Sequence, residues 1–289
     1  MSAQLFFQLL VNGLSIGLIY ALVALGLILV LGVAKVFNFA HGDFFMVGAY
    51  MFYLFQVGMH LNFVASVVMA GLAVALLGAL CNRTVFQFVS GSILKAAATT
   101  IGLGMIIQQA VLQLAGTAER GVKPFVSGVL SAGGVRVSLD RLVIIGICVL
   151  LMGFLAWFLN KTKTGIAMRA TNLDEETAIL QGINSGRMYL LAVTVGSGLA
   201  GAAGGIVAPI RALNTEMGHA MLFSVLMVVV LGGMQSALGA AVGGLILGIV
   251  LSFGFHFLGG LSELLTFFLI GLFVMIKPHG LFGKAIEVR

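Results

Sequence analysis

Three side chains able to hold a polar solute or carry charge, Asn38, His41 and Asp43, stand close together in the run Val36-Phe-Asn-Phe-Ala-His-Gly-Asp43. The run follows a long apolar block. A polar or ionisable residue at membrane depth costs roughly 2.5 to 3.5 kcal/mol on insertion scales, so a cluster of them marks a functional candidate. Gly42 permits a break in the chain, and Asp43 is placed to cap a helix starting at Phe44. The product is a half-helix whose N-terminus points into the protein, as at transporter sites. The alternative is an ordinary cytoplasmic loop with a capped helix after it, and Lys35 beside the run fits that reading. Thr99, Thr100, Gln108 and Gln109 are further groups able to line a path, as are Asn214, Glu216 and His219 at a later turn. For each of these a satisfied structural hydrogen bond is the plainer account. Bond-breaking chemistry is not indicated, because the histidines at 41, 60, 219, 256 and 279 lack the spacing of a metal site or of a nucleophile with its base.

A second stretch, Asn160 to Arg187, is a polar island in a chain that is 61% hydrophobic and 8% charged. It holds Lys161, Lys163, Arg169 and Arg187 together with Asp174, Glu175 and Glu176, so water must be its solvent. Its second half predicts a short helix over 172–181. Thr171 with Asp174 fits a capping pattern, and the three acidic residues favour the positive end of the helix dipole. Gly182 is placed to end the helix. Leu173, Thr177, Ala178 and Leu180 give it an apolar strip too narrow for a core but wide enough for a partner to grip.

The elements that position these residues follow from composition. A chain of 289 residues with 40 Gly and 22 Phe, and with a mean hydropathy of +1.17, leaves more apolar surface than a soluble domain can cover. A hydrocarbon core about 30 Å thick takes roughly 20 apolar residues per helix. Blocks of this kind lie at 5–31, 61–81, 96–115, 142–159, 188–209, 237–257 and 261–276, with shorter ones at 44–57 and 221–231. The predicted fold is all-α, a single transmembrane domain of eight or nine spans with a discontinuous or re-entrant helix near residues 36–58. The first block lacks a basic n-region and is too long for a signal peptide, so it reads as a retained span. Cys81 and Cys148 lie in separate apolar blocks and read as buried thiols. The net charge of +6 comes from basic residues scattered one or two per loop, which speaks for topology and against nucleic acid.

With the island in the cytoplasm, Lys35, Arg83, Lys95, Lys161, Lys163, Arg169, Arg187, Lys277, Lys284 and Arg289 fall inside, and Arg120, Lys123, Arg136, Arg141 and Arg211 outside. That asymmetry obeys the positive-inside rule and places the C-terminus in the cytoplasm. Within the spans, Gly13 with Gly17, Gly201 with Gly205, Gly239 with Gly243, and Gly244 with Gly248 are G-x-x-x-G pairs, which let helix backbones approach closely. Two look-alikes of nucleotide motifs fail on context. Gly196-Ser-Gly-Leu-Ala-Gly201 lies inside an apolar helix with no strand before it, and Pro278 to Lys284 has proline where a P-loop needs its first glycine. This chain is not expected to bind ATP itself.

At this point the residues carry a resemblance. Asn38-Phe-Ala-His-Gly-Asp43, followed by Met46, Gly48, Ala49 and Tyr50, resembles the N-F-A-H-G-E/D signature of LivH-type permease subunits of branched-chain amino-acid ABC transporters. Gly165, Arg169, Ala170, Ala178, Gly182, Ile183 and Asn184 resemble that family's cytoplasmic coupling loop. Glu176-Thr-Ala178-x-x-x-Gly182 is similar to the E-A-A-x-x-x-G loop of importer permeases, with Thr177 in place of alanine. Leu231 to Gly239, Gly243-Gly244 and Pro278-x-Gly-Leu-Phe-Gly283 match later landmarks in order, so the likeness spans the chain.

The resemblance implies a non-catalytic permease of a bacterial inner-membrane importer. It implies a second permease subunit, LivM-like or another copy of this chain, and two ATP-binding subunits, LivG-like and LivF-like, that carry ATP and Mg. It also implies a periplasmic substrate-binding protein. Arg169, Ala170, Asp174, Glu175, Glu176, Ala178 and Gly182 would couple to the ATPase, and Asn38, His41, Gly42, Asp43, Thr99, Thr100 and Gln108 would line the path. No metal and no nucleic acid is expected as a partner; lipid is. A stand-alone secondary transporter is the rival, but proton or sodium coupling needs carboxylates at membrane depth and Asp43 is the one persuasive candidate.

Overall fold

The computed structural model describes residues 3–89, 93–123, 128–132 and 135–283. Helices account for most of them: α1 (Ala3–Ala34), α2 (His41–Tyr53), α3 (Phe63–Cys81), α4 (Gln87–Val89), α5 (Ile93–Ala115), α6 (Leu139–Lys161), α7 (Lys163–Leu173), α8 (Glu175–Leu180), α9 (Ser185–Val207), α10 (Met217–Gly232), α11 (Ala237–Leu258) and α12 (Leu261–Ile276). Single turns of π-helix extend α2 over Leu54–Gly58 and join α3 to α4 over Asn82–Phe86. The expectation of an all-α chain needs one correction. The polar connection before α6 contains an antiparallel pair, β1 (Val129–Ala132) and β2 (Val135–Ser138), with Val129 opposite Ser138 and Ala132 opposite Val135. β-Branched valines on both strands, with Gly133-Gly134 in the sequence between them, suit a hairpin better than a helix.

Among the described residues six helical stretches are long and apolar enough to cross a membrane: Gln4–Ala34, Phe63–Val89, Leu94–Ala115, Leu139–Lys161, Ser185–Val207 and Ala237–Leu258. Met217–Gly232 and Leu261–Ile276 are apolar but shorter. At 16 residues each they reach about 24 Å, short of a hydrocarbon core of about 30 Å. α2 is shorter still, with 13 residues. Every apolar block predicted from the sequence is therefore a helix, and six of them have full spanning length.

Polar side chains set several helix starts. Asn62 accepts from the Ala65 N–H at 2.8 Å, Thr162 from Gly165 at 3.0 Å, Asn184 from Arg187 at 2.9 Å and Ser236 from Gly239 at 2.9 Å. Each satisfies one of the amide donors that a helix leaves open at its N-terminus.

The chain divides into two compact units. The first comprises residues 1–28, 124–149 and 223–289. In it α1 and α11 meet through glycine: a Cβ on Gly13 would stand 2.7 Å from the Ile249 Cα, and one on Gly244 2.7 Å from the Gly17 carbonyl oxygen. Ser252 donates to the Leu9 carbonyl at 2.7 Å across the same contact. Gly239 abuts the backbone of Gly232, Gly243 approaches the Val228 carbonyl, and Gly248 approaches Gly13 and Gly17. The segment after α12 packs back onto Gly233, where Leu281 N–H donates to Leu231 O at 2.8 Å and Gly280 takes a φ of +73°. The P-loop look-alike is thus a structural corner, and its Lys284 lies outside the described residues, as does Arg289.

The second unit comprises residues 29–123 and 150–222 and is built around α2. Residues His41 to Tyr50 and Phe52 are buried, enclosed chiefly by α9 and α3. Phe44, Phe45, Phe52 and Met46 are among the largest fully buried side chains. Glycine again sets the spacing: Gly204 lies against the Phe45 carbonyl, Gly201 against the Val74 side chain, Gly205 against the Phe52 ring, and Gly78 against Ser197. Cys81 of this unit and Cys148 of the first are free and buried.

Candidate functional site

The N-terminus of α2 is where polar side chains enter the second unit. α1 ends at Ala34, and Lys35 then takes a left-handed φ of +53°, a conformation that costs a lysine energy. The Asn38 side-chain oxygen accepts from the Ala40 N–H at 3.1 Å and turns the chain into α2. Thr100 of α5 holds the same link from the side. Its hydroxyl accepts from the Phe39 N–H at 3.1 Å and reaches the Ala96 carbonyl at 2.8 Å.

Two expectations change here. The helix starts at His41, with Ala40 at the capping position and no side-chain cap, so Asp43 sits inside the first turn and does not cap a helix beginning at Phe44. The break falls at Lys35 to Ala40, ahead of Gly42, which lies inside the helix. Gly42 is instead a point of close approach, since a Cβ there would stand 2.1 Å from the Gly218 carbonyl oxygen.

Asn38 and His41 are fully buried and Asp43 is 3% exposed. The Asp43 carboxylate lies between two helices that have glycine where it arrives. A Cβ on Gly104 of α5 would stand 2.4 Å from its Oδ2, and one on Gly218 of α10 3.0 Å from its Oδ1. Asp43 Oδ1 and Asn38 Nδ2 are buried with no hydrogen-bond partner among the described residues. Buried polar atoms are seldom left so, and here they sit at the positive end of a buried helix.

Thr100, Gly104 and Gln108 follow at intervals of four and share one face of α5. Gln108 donates from Nε2 to the Thr215 carbonyl and to Glu216 Oε1, both at 3.1 Å. Glu216 in turn lies 3.5 Å from His219 Nδ1. Thr99 is half-buried on a neighbouring face and Gln109 is exposed. Gly104 and Gly218 were not singled out from the sequence. For Gly104, the fourfold spacing shared with Thr100 and Gln108 was the available signal.

The polar island folds as α7 and α8 with a corner at Asp174. That residue, not Thr171, caps α8, accepting from the Thr177 N–H at 3.1 Å. Thr171 is buried inside α7, its hydroxyl donating to the Ala167 carbonyl at 2.9 Å. The helix covers Glu175–Leu180, shorter than the predicted 172–181, because Asp174 at φ −153° separates it from α7. Gly182 takes a φ of +82°, and the Ile183 N–H closes the end by donating to the Ala178 carbonyl at 3.0 Å.

The expected apolar strip is split. Ala178 is buried, while Leu173 and Leu180 are 84% and 85% exposed and Ile179 joins them at the surface. Arg169 bonds to Asn160 Oδ1 at 2.5 Å and lies apart from the acidic residues, with Ala170 half-buried beside it. Glu176 is exposed.

Glu175 has partners that local sequence does not reveal. Its Oε2 lies 3.0 Å from Lys35 Nζ, and its Oε1 accepts from the Tyr189 hydroxyl of α9. The Tyr189 bond, and then Lys35, hold its carboxyl below the usual carboxylate range. The Thr177 hydroxyl and amide do the same for Asp174.

Long apolar helices, glycine-mediated packing, a buried half-helix with polar residues at its mouth and one polar helical corner define a polytopic membrane transport protein. Residues 9–276 match the family described as "Branched-chain amino acid transport system / permease component", and the chain belongs to that family. It is similar to the permease protein BraD of the high-affinity branched-chain amino acid transport system of Pseudomonas aeruginosa, 30% identical over 295 residues and 96% of each chain. LivH of Escherichia coli K12 is 28% identical over 299 residues, again 96% of each chain. A probable LivH of Methanocaldococcus jannaschii is 28% identical over 283 residues, 91% of this chain and 88% of its own. No solved structure matches the chain. As a permease component the protein is a non-catalytic transport subunit, and such a component works with ATPase and binding-protein subunits.

Proposed function

We propose that this permease serves an ATP-driven importer for branched-chain amino acids or a related small amphipathic solute, and that it couples to the ATPase through residues 160–187. The observation that carries the coupling is α7–α8, which bears exposed Leu173, Ile179 and Leu180 beside Asp174, Glu175 and Glu176. Exposed apolar side chains on an otherwise polar helical corner are an anchor for a groove in a partner. Closure of the nucleotide-bound ATPase then moves a rigid α8, and the acidic residues fix its register.

The membrane is the bacterial inner membrane, with eight or nine crossings and the C-terminus in the cytoplasm. The assembly holds a second permease, LivM-like or another copy of this chain, with LivG-like and LivF-like subunits binding ATP and Mg. A periplasmic binding protein supplies recognition. The solute passes Asn38, His41, Gly42, Asp43, Thr99, Thr100 and Gln108 at low affinity. In support, the polar mouth of α2 offers a buried carboxylate oxygen and a carboxamide nitrogen without partners among the described residues.

The test is co-purification of the tagged chain from its native host at natural expression. A second hydrophobic subunit and two P-loop ATPases should accompany it, with ATP hydrolysis accelerated by the binding protein. A chain that purifies alone and transports without ATP would overturn this reading and turn attention to Asp43 as an ion-coupling group.

A further inference from the structure

We propose that Lys35 and Glu175 form the joint through which movement of α8 reaches the N-terminus of α2. The proposal rests on the reading that α7–α8 docks on an ATPase, and it names the residues inside this chain that receive the displacement.

Lys35 Nζ lies 3.0 Å from Glu175 Oε2 across 140 residues of sequence. The lysine stands where α1 stops and the link to α2 begins, and it is one of two non-glycine residues with positive φ among those described. Glu175 is the first residue of α8. The neighbouring contact tightens the same corner: Asn172, at the end of α7, lies so close to Gly32 that a Cβ on the glycine would stand 2.9 Å from its Oδ1.

Both partners of the pair lead to α2. From Lys35 the chain runs through Asn38 and Phe39, which Thr100 holds, directly into His41. From Glu175 the Tyr189 hydroxyl leads into α9, whose Gly201 and Gly204 touch the α2 backbone at Gly48 and Phe45. A displaced α8 therefore pulls on the link and on the helix that α2 packs against.

Stability does not account for the pair. The Lys35 side chain is 55% exposed, and a surface ion pair contributes little. A left-handed lysine adds backbone strain at a position where glycine is usual. A strained residue tying the start of the α2 link to the first residue of α8 with a weak bond fits a positioning role.

The experiment reconstitutes the whole transporter in proteoliposomes and reads solute imported per ATP hydrolysed. Lys35→Gln is expected to retain the partner subunits, and Lys35→Gln and Glu175→Gln are each expected to lower that ratio roughly fivefold or more. The charge-swapped pair Lys35→Glu with Glu175→Lys is expected to recover much of it. A parental ratio in the neutralised variants, or a swap no better than the singles, overturns the joint. If Lys35→Gln fails to accumulate, Glu175→Gln and the swap give the same two readings. A parent chain that brings down no ATPase overturns the docking reading and this joint with it, whereas an intact assembly with an unchanged ratio overturns the joint alone.

Discussion

Gly48 of α2 and Gly201 of α9 face each other with no room for a side chain between them: a Cβ on Gly48 would stand 2.2 Å from the Gly201 carbonyl oxygen. The partner atom is backbone, so a substitution cannot be absorbed by a rotamer change. With little hydrophobic drive between helices in lipid, this closeness is what gives α2 and α9 their van der Waals contact.

Gly48→Ala should therefore destabilise the protein by about 1–3 kcal/mol, the usual cost of overpacking. Gly102→Ala is the control, because nothing lies within 4 Å of a Cβ at that position of α5. Thermal melting of each variant in detergent, read by size-exclusion chromatography, should show an early transition for Gly48→Ala and a parental one for Gly102→Ala. Equal transitions would mean that α2 and α9 pack less closely than this.

The glycines around Asp43 separate packing from function. In Gly104→Ala the new methyl stands 2.4 Å from Asp43 Oδ2, the far end of a side chain, so the carboxylate moves while the helices stay. The expected outcome is normal accumulation with uptake of labelled solute reduced several-fold. Gly218→Ala, at 3.0 Å from both Asp43 Oδ1 and the Gly42 carbonyl oxygen, presses on backbone as well and should also lower thermal stability. Parental uptake by Gly104→Ala would remove the Asp43 carboxylate from the path.

The caps of the polar island give a third expectation. Asp174→Ala removes the acceptor for the Thr177 amide, and α8, with six residues, is too short to hold without it. Amide exchange at Thr177 and Ala178 should accelerate markedly, while Asp174→Asn, another good capping residue, should stay near the parent. Unchanged exchange in Asp174→Ala would show that tertiary contacts alone maintain the helix.

What the sequence made legible was set by the range of the forces involved. Apolar blocks of spanning length, the hydrated island and the stop at Gly182 depend on local composition and backbone chemistry, and each stands where the residues place it. The pairing of Lys35 with Glu175 depends on how helices assemble, and nothing near either residue signals it. The start of α2 was misplaced because Asp43 and Gly42 fit a cap and a break by residue type. The strain is taken up earlier at Lys35, and the glycine serves contact with Gly218. At the island, Thr171 and Asp174 both suit a helix start, and the backbone chose the second because α7 continues through the first. The pairing of 129–132 with 135–138 lies in a polar connection, and its signal is the alternation of valines in the second strand.

Glu175 titrates below its ordinary value of 4.5, chiefly because the Tyr189 hydroxyl donates to its charged form and secondarily because Lys35 is near. A carboxyl depressed in the folded protein stabilises it above the unfolded pKa, and that contribution disappears as pH falls through the folded one. Attachment of α8 should then be constant from neutral pH down to about 4.5 and weaken only in more acid solution. Tyr189→Phe removes the larger cause and leaves the ring, so α8 should be less protected already at neutral pH and should lose less further protection as pH falls below about 4.5, the folded pKa having moved up toward the unfolded one. Hydrogen exchange of the α8 amides across a pH series, corrected for intrinsic rates, reads this directly. If both proteins are equally protected at neutral pH and lose the same protection on acidification, the tyrosine hydroxyl does not hold the carboxylate, and the attachment of α8 rests on Lys35 and the Asn172 contact.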